Sequence, residues 1–185
     1  MKNAFIILLI FFFGALPLKA EKITSAYMDL NIDQCVLMQI FDYGTQYACE
    51  GYKGYPMLVG EGDLKFFVSY GFNAPNEEAA KQTIYPYNFL DNNIEWRLKT
   101  KNGAFFPFAT ILQFSIYLPD EYLESQKTEQ EILVVTKLEE NNTCHIAYID
   151  IKKTNNANEI AREIADQKAV DFNCETDEII RITNE

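Results

Sequence analysis

Apolar and polar residues alternate most clearly between residues 94 and 118. Ile94, Trp96 and Leu98 are separated by charged residues, and this period of two predicts a strand with one buried face. The Asn102-Gly103 dipeptide that follows favours a tight turn, because both residues tolerate positive φ angles. The apolar positions of the returning stretch alternate again, so the segment predicts a β-hairpin.

Two registers of this hairpin are open, and they bury different faces. A three-residue loop pairs Trp96 with Phe108 and places the aromatic residues of both strands on one buried face. A two-residue loop pairs Lys101 with Ala104 and leaves Phe106 beside charged residues. A slip of one residue exchanges the two faces of a strand. We expect the first register because it buries the phenylalanine side chains away from solvent.

Further strands are predicted on both sides of the hairpin. Residues 64–70 (LKFFVSY) form an aromatic-rich strand, and residues 131–138 (EILVVTKL) are apolar on both faces, as in a central strand. Residues 144–151 (CHIAYIDI) then return as its antiparallel partner. The apolar run at 36–41 (VLMQIF) is too short to assign to a strand or a helix, and residues 178–185 fit an edge strand or a frayed tail.

One segment, residues 155–170 (NNANEIAREIADQKAV), has the spacing of an amphipathic helix with a mostly alanine face. Asn156 is the expected N-cap, with Glu159 completing a capping box. Arg162 and Asp166 lie one turn apart and are expected on the solvent side. The chain is therefore predicted to form an α+β domain, a mainly antiparallel β-sheet with this C-terminal helix packed on it.

The first twenty residues predict a signal peptide. Lys2 precedes an apolar run from Ala4 to Leu16, and Ala20 marks the expected cleavage site. Residues 21–185 then make a single domain with 14 basic and 27 acidic residues, a net charge of −13. We expect a soluble exported chain, periplasmic or secreted, with no stable membrane anchor after cleavage.

The four cysteines are Cys35, Cys49, Cys144 and Cys174. An even number of cysteines in an exported chain predicts a disulfide framework. Of the three connectivities, we expect the sequential one, Cys35–Cys49 and Cys144–Cys174, because it closes the two shortest loops.

The only histidine, His145, follows Cys144 directly. Adjacent residues of a strand point to opposite faces, so this histidine is not expected to act as the base for a thiol nucleophile. No zinc-ligand spacing such as CxxC or HExxH is present, and the sequence predicts neither a metal site nor a cofactor. We expect His145 to be a half-buried strand residue hydrogen-bonded to a neighbour.

Acidic residues give weaker signals. Residues 29–33 (DLNID) begin like a calcium loop, but the glycine and the bidentate glutamate of such a loop are missing. Glu61, Asp63 and Glu95 are the candidates for acid–base work on a glycan. This chemistry needs two carboxylates close together. Pairs of acidic residues also arise by chance in a chain with 27 acids, so no catalytic residue is predicted.

Residues 42–63 are rich in tyrosine and glycine. Tyr43, Tyr47, Tyr52 and Tyr55 are expected on turns around a disulfide. Tyrosines on constrained loops offer a large amphipathic contact area at a low entropy cost, which favours a binding surface. They also cap sheet edges and stabilise turns, and both interpretations stay open.

Six strings between Cys35 and Cys174 carry a resemblance: EWRL, FPFATILQF, ILVVTKL, CHIAYID, ANEIAREIAD and FNC. They are similar to a family of uncharacterised exported proteins of alphaproteobacteria. The resemblance implies a periplasmic or secreted protein and carries no activity.

The functional hypothesis that follows is a non-enzymatic binding module of the bacterial envelope, or a secreted effector. Its expected partner is a protein or a cell-wall component. Nucleic acid and anionic lipid are set aside because the chain is acidic. The alternatives are a hydrolase that acts on envelope glycan or peptide through carboxylates, and an inhibitor of another enzyme.

Overall fold

The computed structural model describes residues 22–101, 103–117 and 128–183. The predicted signal peptide and Asn102 of the predicted turn lie outside these ranges. The strands are β1 (Ile23–Asp29), β2 (Val36–Phe41), β3 (Gly44–Glu50), β4 (Pro56–Gly62), β5 (Lys65–Tyr70), β6 (Tyr87–Lys101), β7 (Ala104–Tyr117), β8 (Thr128–Lys137), β9 (Cys144–Asp150) and β10 (Ile180–Ile182). The helix α1 spans Ala157–Lys168.

Two sheets are built from these strands. A six-stranded sheet has the order β1-β6-β7-β8-β9-β10, and a four-stranded sheet has the order β2-β3-β4-β5. All the pairings are antiparallel except that of β10 with β9. The smaller sheet packs on one face of the larger sheet and α1 packs on the other, so the predicted α+β class is confirmed.

The β6–β7 hairpin corrects the expected register. Lys101 pairs with Ala104, as a two-residue loop requires, so the expected three-residue loop is wrong and Phe106 is half exposed. A β-bulge at Phe108, which has no partner in β6, then shifts the register by one residue. Beyond the bulge Trp96 faces the core, as predicted. Because of the bulge, the residues of β7 that face the core on the buried side of Phe108 have the opposite alternation from those near the exposed tip.

The core between the two sheets is centred on Trp96. Its side chain is fully buried and has three tyrosine rings within 6.4 Å, those of Tyr52, Tyr55 and Tyr70. Gly51 lies against the edge of the indole, where a β-carbon would approach two ring atoms to 2.7 Å. The glycine-rich stretch between β3 and β4 is therefore fitted to the only tryptophan.

The second core lies between the larger sheet and α1. Ala157, Ala161 and Ala165 turn to the sheet and are buried, because their small side chains let the helix approach closely. The expected capping box is wrong: Asn156 adopts a left-handed conformation with φ 58° and its side chain caps nothing. The Asn156 backbone carbonyl accepts the N–H groups of Glu159 and Ile160 instead.

Both disulfides follow the expected sequential pairing. Cys35 is bonded to Cys49 beside the smaller sheet, and Cys144 is bonded to Cys174 beside α1. The second bridge ties the segment after the helix to the start of β9. Among the residues that the structure describes, no helix is long and apolar enough to cross a membrane.

Candidate binding site

Strand β2 exposes large apolar side chains on both of its faces. Val36, Met38 and Ile40 are 66%, 63% and 70% exposed, and Leu37 and Phe41 are about half exposed. β2 is the outermost strand of the smaller sheet, paired on one side with β3. Edge strands of this length are normally shortened, charged or covered, because their free backbone groups can pair with another chain. We name these five side chains, with the β2 backbone, the edge surface.

The opposite edge of the same sheet, β5, is blocked by polar side chains. Asn88 accepts the N–H of Phe66 through Oδ1 at 2.9 Å, and Thr83 donates its hydroxyl to the Phe66 carbonyl at 2.7 Å. The Asn88 amide also donates to Thr83, at 3.0 Å. One edge of the sheet is thus closed by this chain, whereas the other presents apolar side chains to solvent.

A cleft of about 740 Å³ adjoins the edge surface at the β2–β3 turn. Phe67 forms part of its wall, and Gly60 leaves room for the Phe67 ring, because a β-carbon at Gly60 would lie 2.0 Å from a ring atom. Lys65 pairs with Asp63 at the rim, at 2.6 Å. The lining combines apolar and acidic side chains, among them Ile40, Phe41, Asp42, Tyr43, Glu61 and Phe67.

The four tyrosines named from the sequence do not share one surface. Tyr43 is 86% exposed at the β2–β3 turn and lines the cleft. Tyr47 is half-buried against the core. Tyr52 and Tyr55 pack on Trp96, with ring centroids at 6.4 and 5.6 Å, and burial is the largest cause that raises the pKa of Tyr55. Tyr43 and Tyr47 lie beside the edge surface, Tyr47 as the cross-strand partner of Leu37, while Tyr52 and Tyr55 contribute to the core.

The candidate acids fall into two separate places. Glu61 and Asp63 line the cleft, whereas Glu95 is buried between β6 and the helix. Arg162 donates to the Glu95 carboxylate at 2.8 Å and Ser25 donates to it at 2.5 Å. Burial by itself raises the pKa of Glu95, but these hydrogen bonds and the nearby arginine charges outweigh it, so the pKa lies below its usual value. Glu95 is therefore held ionised.

Glu95 belongs to a charged network that the sequence did not predict. Arg97, also buried, donates to Asp166 through two nitrogens at 2.9 and 2.6 Å. Arg162 and Asp166 therefore face the sheet, and their expected solvent position is wrong. The charged face of β6 packs against the charged face of α1. A buried charge is stable only with a partner of opposite charge, and each face supplies partners for the other.

Cys144 and His145 diverge, as their adjacency on a strand requires. Cys144 faces α1 within its disulfide. His145 is fully buried, not half-buried as expected, and its Nδ1 lies 2.8 Å from the Tyr148 hydroxyl, which confirms the predicted hydrogen bond to a neighbour. Burial lowers the pKa of His145 to about 3, so the imidazole is neutral at physiological pH.

The calcium-like stretch at 29–33 forms a local turn. Asn31 accepts the N–H of Asp33 through Oδ1 at 3.0 Å and begins a short 3₁₀ turn over Ile32–Gln34. Within residues 22–101, 103–117 and 128–183, no group of three or more His, Cys, Asp or Glu side chains is arranged to hold a metal.

The edge surface is the feature that sequence reasoning did not find. The signal that was present is a run of five large apolar residues around a single glutamine at 36–41. No protein-family model, curated protein or solved structure matches this chain. The resemblance to exported alphaproteobacterial proteins therefore stays a prediction.

Proposed function

We propose that the protein is an exported, non-enzymatic binding module that takes up an extended segment of a partner protein along β2. The observation that carries this proposal is an edge strand whose five large side chains are all about half exposed or more. An added strand gains main-chain hydrogen bonds along such an edge, and alternate side chains then select the partner.

The apolar side chains make this addition favourable. Fully burying a side chain such as valine, leucine or isoleucine is worth about 1.5–3 kcal/mol. Val36, Met38 and Ile40 are each about two-thirds exposed. If a partner strand covers half of that exposed area, the three together contribute roughly 2 kcal/mol in addition to the backbone hydrogen bonds. The cleft beside Tyr43 offers room for a larger side chain at one end of the added strand.

Charge selects the chemistry of the partner. Asp33 precedes β2, Asp42 follows it, and Glu61 lines the adjoining cleft. An apolar segment flanked by lysine or arginine complements these acids, and an acidic segment does not. A second copy of this chain fits poorly, because both copies carry a strong net negative charge.

The compartment of the proposal is the bacterial envelope or the extracellular space. Two disulfides are typical of proteins that fold in oxidising compartments, and the apolar leader supports export. A protein partner in the envelope, or a host protein met after secretion, is compatible with both observations.

A synthetic peptide tests the proposed strand addition. The probe is a fluorescent Val/Ile-rich peptide flanked by lysines, and its binding to the purified exported protein is followed by anisotropy. We expect saturable binding that is reduced about tenfold or more when a central residue of the peptide becomes proline, because proline cannot donate a ladder hydrogen bond. The same peptide with glutamate flanks should bind less tightly.

Matched protein variants assign the binding to β2. Ile40→Lys places a charge on the edge surface and should abolish binding, whereas Phe72→Lys, at a site 92% exposed and away from β2, should leave binding unchanged. Equal binding of the proline peptide, or full binding by Ile40→Lys, would show that the edge surface does not take up strands.

A further inference from the structure

The tip of the β6–β7 hairpin forms a second exposed apolar group, separate from the edge surface. Phe105 and Phe106 are 40% and 51% exposed, and neighbouring Lys101 is exposed as well. The first described residue, Lys22, lies beside this tip, because its carbonyl accepts the Thr100 N–H at 3.2 Å. We name Lys22, Lys99, Lys101, Phe105 and Phe106 the hairpin tip.

The hairpin tip is basic in a strongly acidic protein. Residues 96–119 contain one arginine, two lysines and no acidic residue, although the chain has 27 acids in all. The arginine, Arg97, is engaged by Asp166. The lysines at 99 and 101 lie on β6 at the tip, and Lys99 lies over the Phe108 ring at 4.6 Å. With Lys22, the tip combines three lysines with two exposed phenylalanines.

The tip extends beyond the end of the β7–β8 ladder, while β1 runs beside β6 as far as Lys99. The pairing of β7 with β8 begins at Ala109, opposite Lys137. Ala104, at the end of the hairpin, lies five residues further along β7, which corresponds to roughly 17 Å of strand. At physiological ionic strength charges are screened over about 8 Å, so the lysines on the tip act more strongly on what it meets than acidic groups further along the sheet.

From this geometry we propose that the hairpin tip docks the protein reversibly on an anionic lipid bilayer. The two phenylalanines enter the boundary between head groups and acyl chains, and Lys22 and Lys101 contact the lipid phosphates. Aromatic and basic residues together are typical of such interfacial contacts. The net charge of the chain argues against anionic lipid as a partner, but the charge is unevenly distributed, and the basic, aromatic hairpin tip reverses that expectation locally. This inference rests on observations other than those behind the proposed strand addition, so either can fail alone.

Vesicle sedimentation of the purified exported protein tests the docking. The probes are vesicles of phosphatidylcholine alone and of phosphatidylcholine mixed with phosphatidylglycerol. We expect binding to the mixed vesicles only, weakened by added salt. The Lys22→Gln/Lys101→Gln variant should bind about 25-fold more weakly, since each lysine near an anionic surface is worth about fivefold in affinity. Phe105→Ser/Phe106→Ser should lose roughly tenfold or more.

The control separates docking from general stickiness. Phe72→Ser removes an aromatic side chain that is 92% exposed elsewhere, and it should bind the mixed vesicles like the wild type. All three variants change exposed side chains and should keep the wild-type Tm. Absence of binding to mixed vesicles overturns the proposal, and so does equal binding by the tip variants. A dimer in solution that Phe105→Ser/Phe106→Ser converts to a monomer, without lipid binding, would assign the tip to self-association instead.

Discussion

Replacement of Gly51 by alanine tests the packing around Trp96. The backbone at Gly51 has φ −94° and ψ −162°, which alanine adopts readily, and at such sites glycine-to-alanine changes stabilise proteins by about 0.4–1 kcal/mol. Here the added β-carbon would lie 2.7 Å from two indole atoms and 2.7 Å from the Tyr55 carbonyl oxygen. The expected sign is therefore the reverse of the usual one.

The magnitude follows from the rigidity of these neighbours. Trp96 is fully buried and enclosed by tyrosine rings, and the Tyr55 carbonyl accepts the Gly51 N–H at 2.8 Å. Overpacking a site of this kind costs about 1–3 kcal/mol. We expect Gly51→Ala to lower the free energy of unfolding by about 2 kcal/mol, which corresponds to a Tm lower by about 4–8 °C for a domain of this size.

Urea unfolding measures this change directly, followed by the fluorescence of Trp96, the only tryptophan, and by far-UV circular dichroism. Gly103→Ala is the control: its added β-carbon meets nothing within 4 Å, but its φ of +80° strains an alanine. The control should lose roughly 1 kcal/mol without a shift in tryptophan emission. A Gly51→Ala protein as stable as the wild type, or more stable, would refute the packing described for Trp96.

Three further predictions concern stability. Cys144→Ala/Cys174→Ala opens a bridge with a sequence separation of 30 and should cost about 3.6 kcal/mol by the loop-entropy relation, measured by urea unfolding; a loss under 1 kcal/mol would contradict it. The folded-state pKa of His145 is lowered from 6.5 to about 3, so on acidification the unfolded chain binds a proton at a higher pH than the folded chain does. The free energy of unfolding of the wild type should therefore fall as the pH drops from 6.5 towards 3. Thermal melts of His145→Gln across this range should show a Tm that depends less on pH. The pKa of Glu95 is lowered from 4.5, so the stabilisation by its carboxylate is present above pH 4.5 and is lost as the pH falls through the folded-state pKa. Glu95→Gln should be less stable than the wild type at pH 7 by about 2 kcal/mol, less than for a fully buried pair because Arg162 is partly exposed. The variant should also lose less stability in acid than the wild type does.

The α1 segment shows what periodicity can and cannot predict. The alanine spacing correctly predicts the helix and its buried face, because burial of a helix face depends on local order in the sequence. The position of Arg162 and Asp166 depends on what faces them, namely Glu95 and Arg97 on β6. From one sequence alone, a charged face of a helix or strand is predicted to face solvent. Nothing in the local sequence indicates that two charged faces pack against each other.

The candidate site was missed for a related reason. The run at 36–41 has the apolar composition of a buried strand. Its exposure follows from the position of β2 at the edge of the sheet β2-β3-β4-β5, and local sequence patterns do not specify that order. The hairpin tip shows the same limit, since the bulge at Phe108 reverses the faces of β7 within one strand. The hairpin strands and β5, β8 and β9 were predictable from local patterns, whereas β2 was left unassigned. Edges and bulges depend on long-range pairing.

Site-specific photo-crosslinking in the native cells tests whether β2 is the surface that meets a partner. A photoreactive amino acid replaces Ile40 on the edge surface, or Phe72 at a control site of comparable exposure. We expect an adduct of defined mass at position 40, lost when Met38 is changed to lysine, and no such adduct at position 72. Equal adducts at both positions, or none at position 40, would contradict it.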